Sequence, residues 1–246
     1  MIIGERLKIV SNLQVMPDIY KIVLKARKFL PIKAGHFINI SVNDPSKILK
    51  RPFCIYDYDK KTGLLTVCYQ IKGKTSGTYN LSQQDGFLTS DFPLGNCFAD
   101  FIGKHRNIAL VGGGIGVFPL YLLKEEKDID FSVFVGFKDK KTADALSADF
   151  KVFKKLSVIT DEQGFVTDKF KADGKKFDAV FACGPKAMLK ALKSLNLAIP
   201  VYASLEERMG CGIGGCITCV CNVGGKNLRV CKDGPIFNLA EVAFDE

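Results

Sequence analysis

The feature that most constrains the fold of this chain is a cluster of cysteines near its C-terminus. Five of the nine cysteines lie between residues 211 and 231, and the candidate ligands among them are Cys211, Cys216, Cys219 and Cys231. Four, two and eleven residues separate successive members of this set. The C-x4-C-x2-C…C spacing is typical of plant-type [2Fe–2S] sites. Four nearby glycines let the loop curl so that backbone amides face the sulfurs: Gly210, Gly212, Gly214 and Gly215.

A zinc site is the alternative interpretation of these cysteines. Zinc sites usually add a second short Cys or His pair to a C-x2-C motif, and that pair is missing here. The sequence therefore favours an iron–sulfur cluster. Cys221 lies two residues after Cys219, so strand alternation points it away from the cluster and we expect no role for it. The remaining cysteines are isolated and predicted to pack as small apolar side chains: Cys54, Cys68, Cys97 and Cys183.

Composition narrows the class of protein. The formal net charge is +9, but the lysines are spread along the chain rather than interleaved with aromatic residues, so we expect no nucleic-acid partner. No apolar run approaches the length of a membrane span, and the first ten residues alternate like a strand rather than like a signal peptide. We therefore expect a cytoplasmic protein with reduced thiols and no membrane contact. With two histidines in the chain, histidine-based hydrolysis is unsupported.

The first hundred residues predict a β-rich domain. Short β-branched or alternating stretches recur at 21–25, 36–42 and 64–71, separated by turn-forming residues. Strands at this spacing are typical of an antiparallel barrel or sandwich.

Beyond about residue 103, strands and helices alternate. Strands are predicted at 107–111, 131–136, 157–160, 178–183 and 201–204, with helices at 119–126 and 186–195. This order is typical of a doubly wound, parallel α/β sheet. We expect three units: a barrel domain at 1–102, a nucleotide-binding α/β domain at 103–204 and a small cluster module at 205–246.

Two glycine-containing turns follow strands of the predicted sheet. The first holds Gly112, Gly113, Gly114 and Gly116, and the second is Cys183-Gly184-Pro185. Glycines at such turns let the backbone approach a pyrophosphate at a helix N-terminus. The first turn departs from G-x-G-x-x-G, so on local evidence a simple tight turn explains it equally well. Because both turns end strands, we expect them to face one crevice.

Taken in order, the motifs resemble the ferredoxin–NAD(P)H reductase family, and most closely the electron-transfer subunits of NAD-dependent, heteromeric dihydroorotate dehydrogenases. The resemblance covers nearly the whole chain. The cluster module after the nucleotide domain is the feature that best separates these subunits from ferredoxin–NADP reductases, which lack it. The motifs that carry it are Arg51-Pro52-Phe53-Cys54, Gly77-Thr78, Pro93-Leu94-Gly95-Asn96, the two glycine turns, and Cys231-Lys232-Asp233-Gly234-Pro235.

The resemblance implies a FAD site in the barrel domain. Arg51 would contact the FAD pyrophosphate, which suits its guanidinium fork. Gly77 and Thr78 would meet the pyrophosphate at a helix start, and Cys183 would lie near the nicotinamide. The flavin would be lined by Pro52, Phe53, Cys54, Cys68, Tyr69 and Gln70. The family usually has Ser or Thr where Cys54 stands, and Thr75-Ser76 resembles an insertion before Gly77.

The resemblance also implies a function. The chain would pass electrons between NAD(H) and a partner through FAD and [2Fe–2S], with no catalytic side chain of its own. The partner would be an FMN-containing catalytic subunit that oxidises dihydroorotate for pyrimidine synthesis, in a heterotetramer of two subunits of each kind. One alternative is a reductase subunit serving ferredoxin, sulfite reductase or a hydrogenase. Another is a zinc-stabilised, nucleotide-binding regulatory protein. Preference for NADH or NADPH stays open, because Lys138, Lys140 and Lys141 could accommodate a 2′-phosphate.

Overall fold

A computed structural model describes residues 1–42, 44–71 and 77–244 of the chain. Its first part is a closed antiparallel barrel with strand order β1-β2-β5-β4-β3-β6. The expected insertion at Thr75-Ser76 lies outside the described residues. The elements of this part are β1 (Ile2–Met16), β2 (Ile19–Lys25), β3 (Phe37–Ile40), β4 (Arg51–Asp59), β5 (Leu64–Gln70), the short helix α1 (Gly77–Ser82) and β6 (Phe87–Leu94).

The barrel closes because its strands alternate apolar and polar side chains. Ile22 and Leu24 of β2 are fully buried, as are Leu65 and Val67 of the neighbouring β5. Side chains that alternate with these point outwards, which is the two-residue period of a half-buried strand. The three stretches predicted from this period are all strands in the structure.

The second part is a six-stranded sheet in the order β14-β11-β10-β7-β8-β9. Pairs among β11, β10, β7, β8 and β9 are parallel. The central strand β7 is buried on both faces, which explains its unbroken apolar sequence. The elements are β7 (Asn107–Gly113), β8 (Asp130–Phe137), α2 (Lys140–Ser147), β9 (Lys155–Thr160), α3 (Val166–Ala172), β10 (Ala179–Cys183), α4 (Lys186–Ser194) and β11 (Val201–Ser204).

The helix predicted at 119–126 takes a different form. A 3-10 helix runs from Gly114 to Glu125, with Pro119 inside it. Proline has no N–H to donate and its ring crowds the preceding turn, so a regular α-helix is disfavoured there. The segment is held by packing instead, since Val117, Leu120 and Leu123 are buried. The predicted helical stretch is present, but it begins five residues earlier than expected, at Gly114 instead of Pro119.

The C-terminal segment is joined to the sheet. It forms a hairpin of β12 (Val220–Val223) and β13 (Lys226–Arg229), and then β14 (Ile236–Asn238). β14 pairs antiparallel with β11, so the parallel sheet gains an antiparallel edge strand. The sheet therefore continues across the boundary expected at residues 204 and 205.

The barrel and the sheet share a packed boundary. The ring of Tyr56 in β4 lies 4.6 Å from that of Phe118 and 4.7 Å from that of Tyr121, both in the 3-10 helix after β7. Phe98, just after the barrel, stacks on Phe181 of β10 with ring centroids 5.1 Å apart. None of the helices in the described ranges is both long and apolar enough to cross a membrane.

Candidate functional site

A cleft of about 280 Å³ lies where the barrel meets the sheet. Strands β4 and β5 are antiparallel neighbours, so the first residues of β4 and the last of β5 lie at the same end of the barrel. This geometry brings nine of the predicted site residues into one lining: Arg51, Pro52, Phe53, Cys54, Cys68, Tyr69, Gln70, Thr78 and Gly116. Gly77 begins α1, next to Thr78.

The cleft is also lined by residues that sequence reasoning missed. They come from four separate segments: Phe37; Ile115, Phe118 and Pro119; Ser204 to Glu207 with Met209; and Pro235. The sequence held one signal that could have identified some of these residues. Ser204 ends β11, and ligands of open α/β sheets bind outside the carboxyl ends of strands. Glu206 and Glu207 follow at that edge.

Aromatic rings form a flat part of the lining. Tyr69 stacks on Tyr20 with centroids 5.6 Å apart, and Phe53 lies 5.6 Å from the same ring. The Tyr69 hydroxyl donates to Oδ1 of Asn12 at 2.9 Å, which fixes the ring. Burial raises the pKa of Tyr69, so it stays a neutral phenol. A rigid, largely apolar surface of this kind suits a planar heteroaromatic ligand.

Two thiols line the cleft as neutral groups. Burial, followed by the charge of Glu206, raises the pKa of Cys54 to about 12. Burial raises the pKa of Cys68 to about 12 as well, and it raises that of Cys183, in the second glycine turn, well above its usual value. Because the thiolate is the reactive form, none of the three suits a nucleophile, and Cys54 and Cys68 shape the cleft.

The two glycine turns pack against each other. Gly112 of β7 is in register with Cys183 of β10. A Cβ on Gly116 would lie 2.6 Å from Cα of Gly184, and one on Gly113 would lie 2.9 Å from Cδ of Pro185. The backbones can approach this closely only without side chains.

The predicted turn residues do not all line a cavity. Gly116 lines the cleft, whereas Gly184 lines a second cavity of about 500 Å³ that shares Leu205, Glu206 and Glu207 with it. Gly112, Gly113, Gly114, Cys183 and Pro185 line neither cavity and support the turns. The second cavity also contains Cys221, whose pKa burial raises to about 11.

The first two candidate ligands form an outer pair. The sulfur of Cys211 accepts the amide of Gly215 at 3.2 Å and that of Cys216 at 3.4 Å. The sulfur of Cys216 accepts the amide of Cys211 at 3.2 Å and the hydroxyl of Thr218 at 3.1 Å. These donors, Thr218 first, lower the pKa of Cys216 to about 6. Amides that face sulfur stabilise the thiolate form that binds metal.

The other two candidate ligands form an inner pair. Cys219 and Cys231 are buried, and the amide of Cys231 donates to the sulfur of Cys219 at 3.4 Å. Burial, together with the neighbouring Cys219, raises the pKa of Cys231 to about 12 in the free thiol. The four candidate metal ligands are thus arranged as two pairs of sulfurs.

Two pairs of sulfurs fit two irons. A [2Fe–2S] cluster takes two thiolates at each iron, whereas structural zinc takes all four ligands around one ion. The paired sulfurs and the amides that face them suit the cluster better than zinc.

Comparison with known proteins identifies the family. A family model described as the iron–sulfur cluster binding domain of dihydroorotate dehydrogenase B matches residues 206–243. The dihydroorotate dehydrogenase B (NAD(+)) electron transfer subunit of Geobacillus thermodenitrificans is 36% identical, over 99% of this chain and 100% of the relative. The same subunit of Streptococcus mutans is 35% identical, with full coverage of both chains. The chain belongs to the family of these electron transfer subunits. The predicted family is confirmed, and the chain is an oxidoreductase subunit.

Solved structures confirm the fold. A chain of an NADH-dependent reduced ferredoxin-NADP oxidoreductase superposes with a TM-score of 0.84 at 26% identity, covering 99% of this chain and 90% of that one. Phthalate dioxygenase reductase, described as a modular structure for electron transfer from pyridine nucleotides to [2Fe–2S], superposes with a TM-score of 0.65 at 16% identity, covering 89% and 86%. The predicted combination of barrel, α/β sheet and C-terminal cluster segment is confirmed.

Proposed function

We propose that this chain passes electrons between NAD(H) and the FMN of a dihydroorotate-oxidising subunit. The observation that carries the proposal is that the cleft and the cysteine loop are parts of one site. Met209 and Pro235 line the cleft, and they lie two residues before Cys211 and four after Cys231. A ligand in the cleft is therefore close to the sulfur pairs. Bound FAD supplies hydride chemistry with NADH, and the [2Fe–2S] centre supplies single-electron transfer.

The cleft holds the flavin in this proposal. Pro52, Phe53, Cys54, Cys68, Tyr69 and Gln70 line the ring. Arg51 stands at the mouth, where Nη1 donates to the carbonyl of Leu49 at 2.7 Å. That bond leaves further guanidinium donors for a pyrophosphate, with Gly77 and Thr78 on the same side. Cys54 presents a neutral thiol where a hydroxyl is usual in the family.

The two glycine turns receive the nicotinamide nucleotide. Gly112, Gly113, Gly114 and Gly116 meet Cys183, Gly184 and Pro185 at the carboxyl ends of β7 and β10, so the nucleotide reaches the flavin through the shared edge. Asp139 stands just after β8, where an acidic residue commonly binds the ribose of NAD. Its carboxylate accepts the amide of Thr142 at 2.8 Å as the cap of α2. We propose NADH as the substrate, as the name of the relatives indicates.

The cluster is held by Cys211, Cys216, Cys219 and Cys231 in this proposal, and the outer pair faces the partner. Cys216 is exposed, and Ile213 and Ile217 beside it are 42% and 66% exposed. Ile217 has φ +54°, a strained conformation for a β-branched residue. Exposed apolar side chains around an electron-transfer centre mark a docking surface. We propose that the catalytic subunit binds there, in a heterotetramer with two subunits of each kind, in the cytoplasm, where thiolate ligands stay reduced.

The purified chain tests the cofactors. We expect a coloured protein with flavin and two irons per chain (one [2Fe–2S] cluster), whose flavin is reduced by NADH. A colourless protein containing zinc and no flavin would support the regulatory alternative instead. Co-purification tests the partner: a stable complex with a hydrogenase or sulfite reductase, and none with an FMN dehydrogenase, would favour the other reductase hypothesis.

A charged residue on the proposed docking surface tests the interface. We expect Ile217→Asp to weaken the complex with the FMN subunit roughly 10-fold or more, measured by titration of one subunit with the other. The matched control is Phe29→Asp, because Phe29 is 77% exposed and also has positive φ, 59°. Its amide donates to Lys60, so it lies at the other end of the barrel. Equal weakening by both variants would contradict the proposed surface.

A further inference from the structure

Asn39 links the barrel to the cysteine loop. It lies on β3, in register with Pro52 of β4 on one side and Asp91 of β6 on the other. Its side chain is 1% exposed, and Nδ2 donates to the carbonyl of Cys211 at 3.1 Å. The two residues are 172 positions apart in sequence. A buried barrel side chain thus contacts the backbone of a candidate cluster ligand.

The loop backbone lies directly on this amide. Gly212 has φ +70°, and a Cβ there would lie 1.8 Å from Nδ2 of Asn39. Any side chain at position 212 would displace either the amide or the loop. The contact therefore requires glycine at position 212. The Cys211 carbonyl can only accept a hydrogen bond, so the Asn39 side chain must point its NH2 group towards it.

The other end of the amide is unsatisfied. No donor within the described part of the chain reaches the buried Oδ1 of Asn39. A buried acceptor without a donor destabilises a fold, and an apolar residue of the same shape would avoid this cost. The contribution of the asparagine to this site is therefore its bond to Cys211.

Asn39 stands between the two proposed redox centres. Its register partner Pro52 lines the cleft, and Phe37, two residues earlier on β3, lines it too. The Asn39 side chain itself bonds to the backbone of Cys211, and the sulfur of Cys211 belongs to the outer pair. Electron-transfer rates fall steeply with distance, so the spacing between flavin and cluster must be held. This contact connects the two sites by one side chain.

We propose that Asn39 is a positioning residue that fixes the cluster loop against the flavin and so sets the rate of electron transfer between them. The inference rests on the proposed function, because it takes FAD in the cleft and [2Fe–2S] on the loop. The side-chain hydrogen bond of Asn39 goes to the cysteine loop and not to a nucleotide turn, so its effect is expected on the step from flavin to cluster.

Two nearly isosteric variants test this role in the full, cofactor-loaded chain: Asn39→Leu and Asn39→Asp. Both remove the amide donor. Rapid mixing with NADH follows flavin reduction and then cluster reduction, and electron paramagnetic resonance reports the geometry of the reduced cluster. We expect flavin reduction within about twofold of wild type, cluster reduction slowed roughly 10- to 100-fold as for other residues that orient metal ligands, and an altered resonance spectrum.

The matched control is Asn96→Leu. Asn96 also ties the barrel to the C-terminal segment, with Nδ2 donating to Ile236 at 2.9 Å and Oδ1 accepting from it at 2.9 Å, but it does not contact the cysteine loop. It should lower the melting temperature and leave the cluster step and spectrum unchanged.

Each result has one meaning. Slowed cluster reduction with an altered resonance spectrum in both Asn39 variants supports the proposal, and so does loss of the cluster alone, with FAD and the melting temperature of the chain retained. Wild-type cluster rates and spectra in both variants overturn it, as does joint loss of FAD and cluster, which would show a general folding role. A wild-type chain that lacks flavin or cluster, or that NADH does not reduce, would instead refute the proposed function.

Discussion

At the scale of single residues, the two cysteine pairs differ in exposure. Cys216 is exposed and carries amide and hydroxyl donors on its sulfur, whereas Cys219 is 2% exposed. The inner pair belongs to a buried apolar cluster that includes Val230 and Leu239. An iron held by the outer pair would therefore be the one that a docked partner can approach, and an iron held by the inner pair would be shielded from solvent.

Replacement of one outer ligand tests the assignment. We expect Cys216→Ser to abolish the cluster, because one iron loses a thiolate, and to leave NADH reduction of FAD measurable, because the cleft is untouched. Iron content and flavin bleaching are the measurements. The control is Cys221→Ser, five residues along the same segment, which should keep the cluster. Loss of flavin reduction in a folded, FAD-loaded Cys216→Ser protein would contradict the separation of the two sites.

His36 should make stability depend on pH. Burial, opposed by Asp100, lowers the pKa of His36 from 6.5 to about 4, and Nδ1 accepts the amide of Lys33 at 3.0 Å. As the pH falls from 6.5 to 4, the unfolded chain binds a proton that the folded chain resists, so this part of the stability is lost. The effect is about 1–3 kcal/mol, reduced by partial exposure.

The variant His36→Asn keeps an acceptor for Lys33 but has no titration in this range. We expect urea unfolding of the FAD-loaded protein to show a smaller loss of stability between pH 7 and pH 4.5 (endpoints about half a unit above each of the two pKa values) than wild type shows. His105→Asn removes the other histidine and serves as control. A flattened pH profile in the control and an unchanged one in His36→Asn would be inconsistent with this assignment.

For single residues, the sequence carries a usable signal only where that signal is local. The four cysteines are recognisable because their spacing along the chain determines their spacing in the loop. Asn39 and Glu206 were missed because their roles depend on contacts between distant segments, as in the bond from Asn39 to Cys211. No spacing rule connects such residues. The roles assigned to Arg51 and the flavin-lining residues remain predictions, although the structure places them in one cleft.

At the scale of elements, the two glycine turns depend on each other. Gly116→Ala places a methyl group 2.6 Å from Cα of Gly184, and backbone cannot move aside as a flexible side chain can. We expect a loss of about 1–3 kcal/mol in unfolding free energy and a raised KM for NADH, with FAD retained. Steady-state kinetics and chemical unfolding measure the two effects.

The control for this prediction is Gly114→Asn. Gly114 has φ +56°, a Cβ added there would meet nothing within 4 Å, and asparagine tolerates that backbone conformation. Its unfolding free energy should stay within about 0.5 kcal/mol of the wild-type value, because no atom has to move to admit the side chain. A normal KM and normal stability in Gly116→Ala would show that the turns can separate without cost.

The elements themselves were mostly predictable. Buried strands such as β7 and β10 are continuous apolar runs, whereas the barrel strands alternate apolar and polar residues. Both patterns are visible in the sequence. The helical stretch after β7 was predicted, but its start was placed at Pro119, a residue typical of helix starts, whereas Pro119 lies inside the 3-10 helix. β14 was missed because three residues carry no period, and its pairing with β11 is decided by the tertiary fold.

At the scale of the whole molecule, two ion pairs join the barrel to the sheet part. The lysine belongs to the barrel in one pair and to the sheet part in the other. Lys21 of β2 pairs with Asp149 of the sheet part at 2.8 Å, and Lys124 of the sheet part pairs with Asp57 of β4 at 2.8 Å. The hydroxyl of Tyr56 donates to Asp149 as well. These contacts tie the barrel to the sheet part, so we expect them to hold the angle at which the nucleotide turns would face a flavin bound in the cleft.

Removal of one cross-link should therefore affect both stability and hydride transfer. Lys124 Nζ lies 3.9 Å from the ring centroid of Tyr121 as well as bonding Asp57, and its side chain is 17% exposed. We expect Lys124→Met to lower the unfolding free energy by about 1–2 kcal/mol and to slow flavin reduction by NADH while FAD stays bound.

Lys155→Met is the control, since its pair with Asp130 is exposed and joins neighbouring strands of the sheet alone. It should cost less than about 0.5 kcal/mol and leave the rate unchanged. Equal rates of flavin reduction in the two variants would show that the ion pairs stabilise the chain without setting the angle between its two parts.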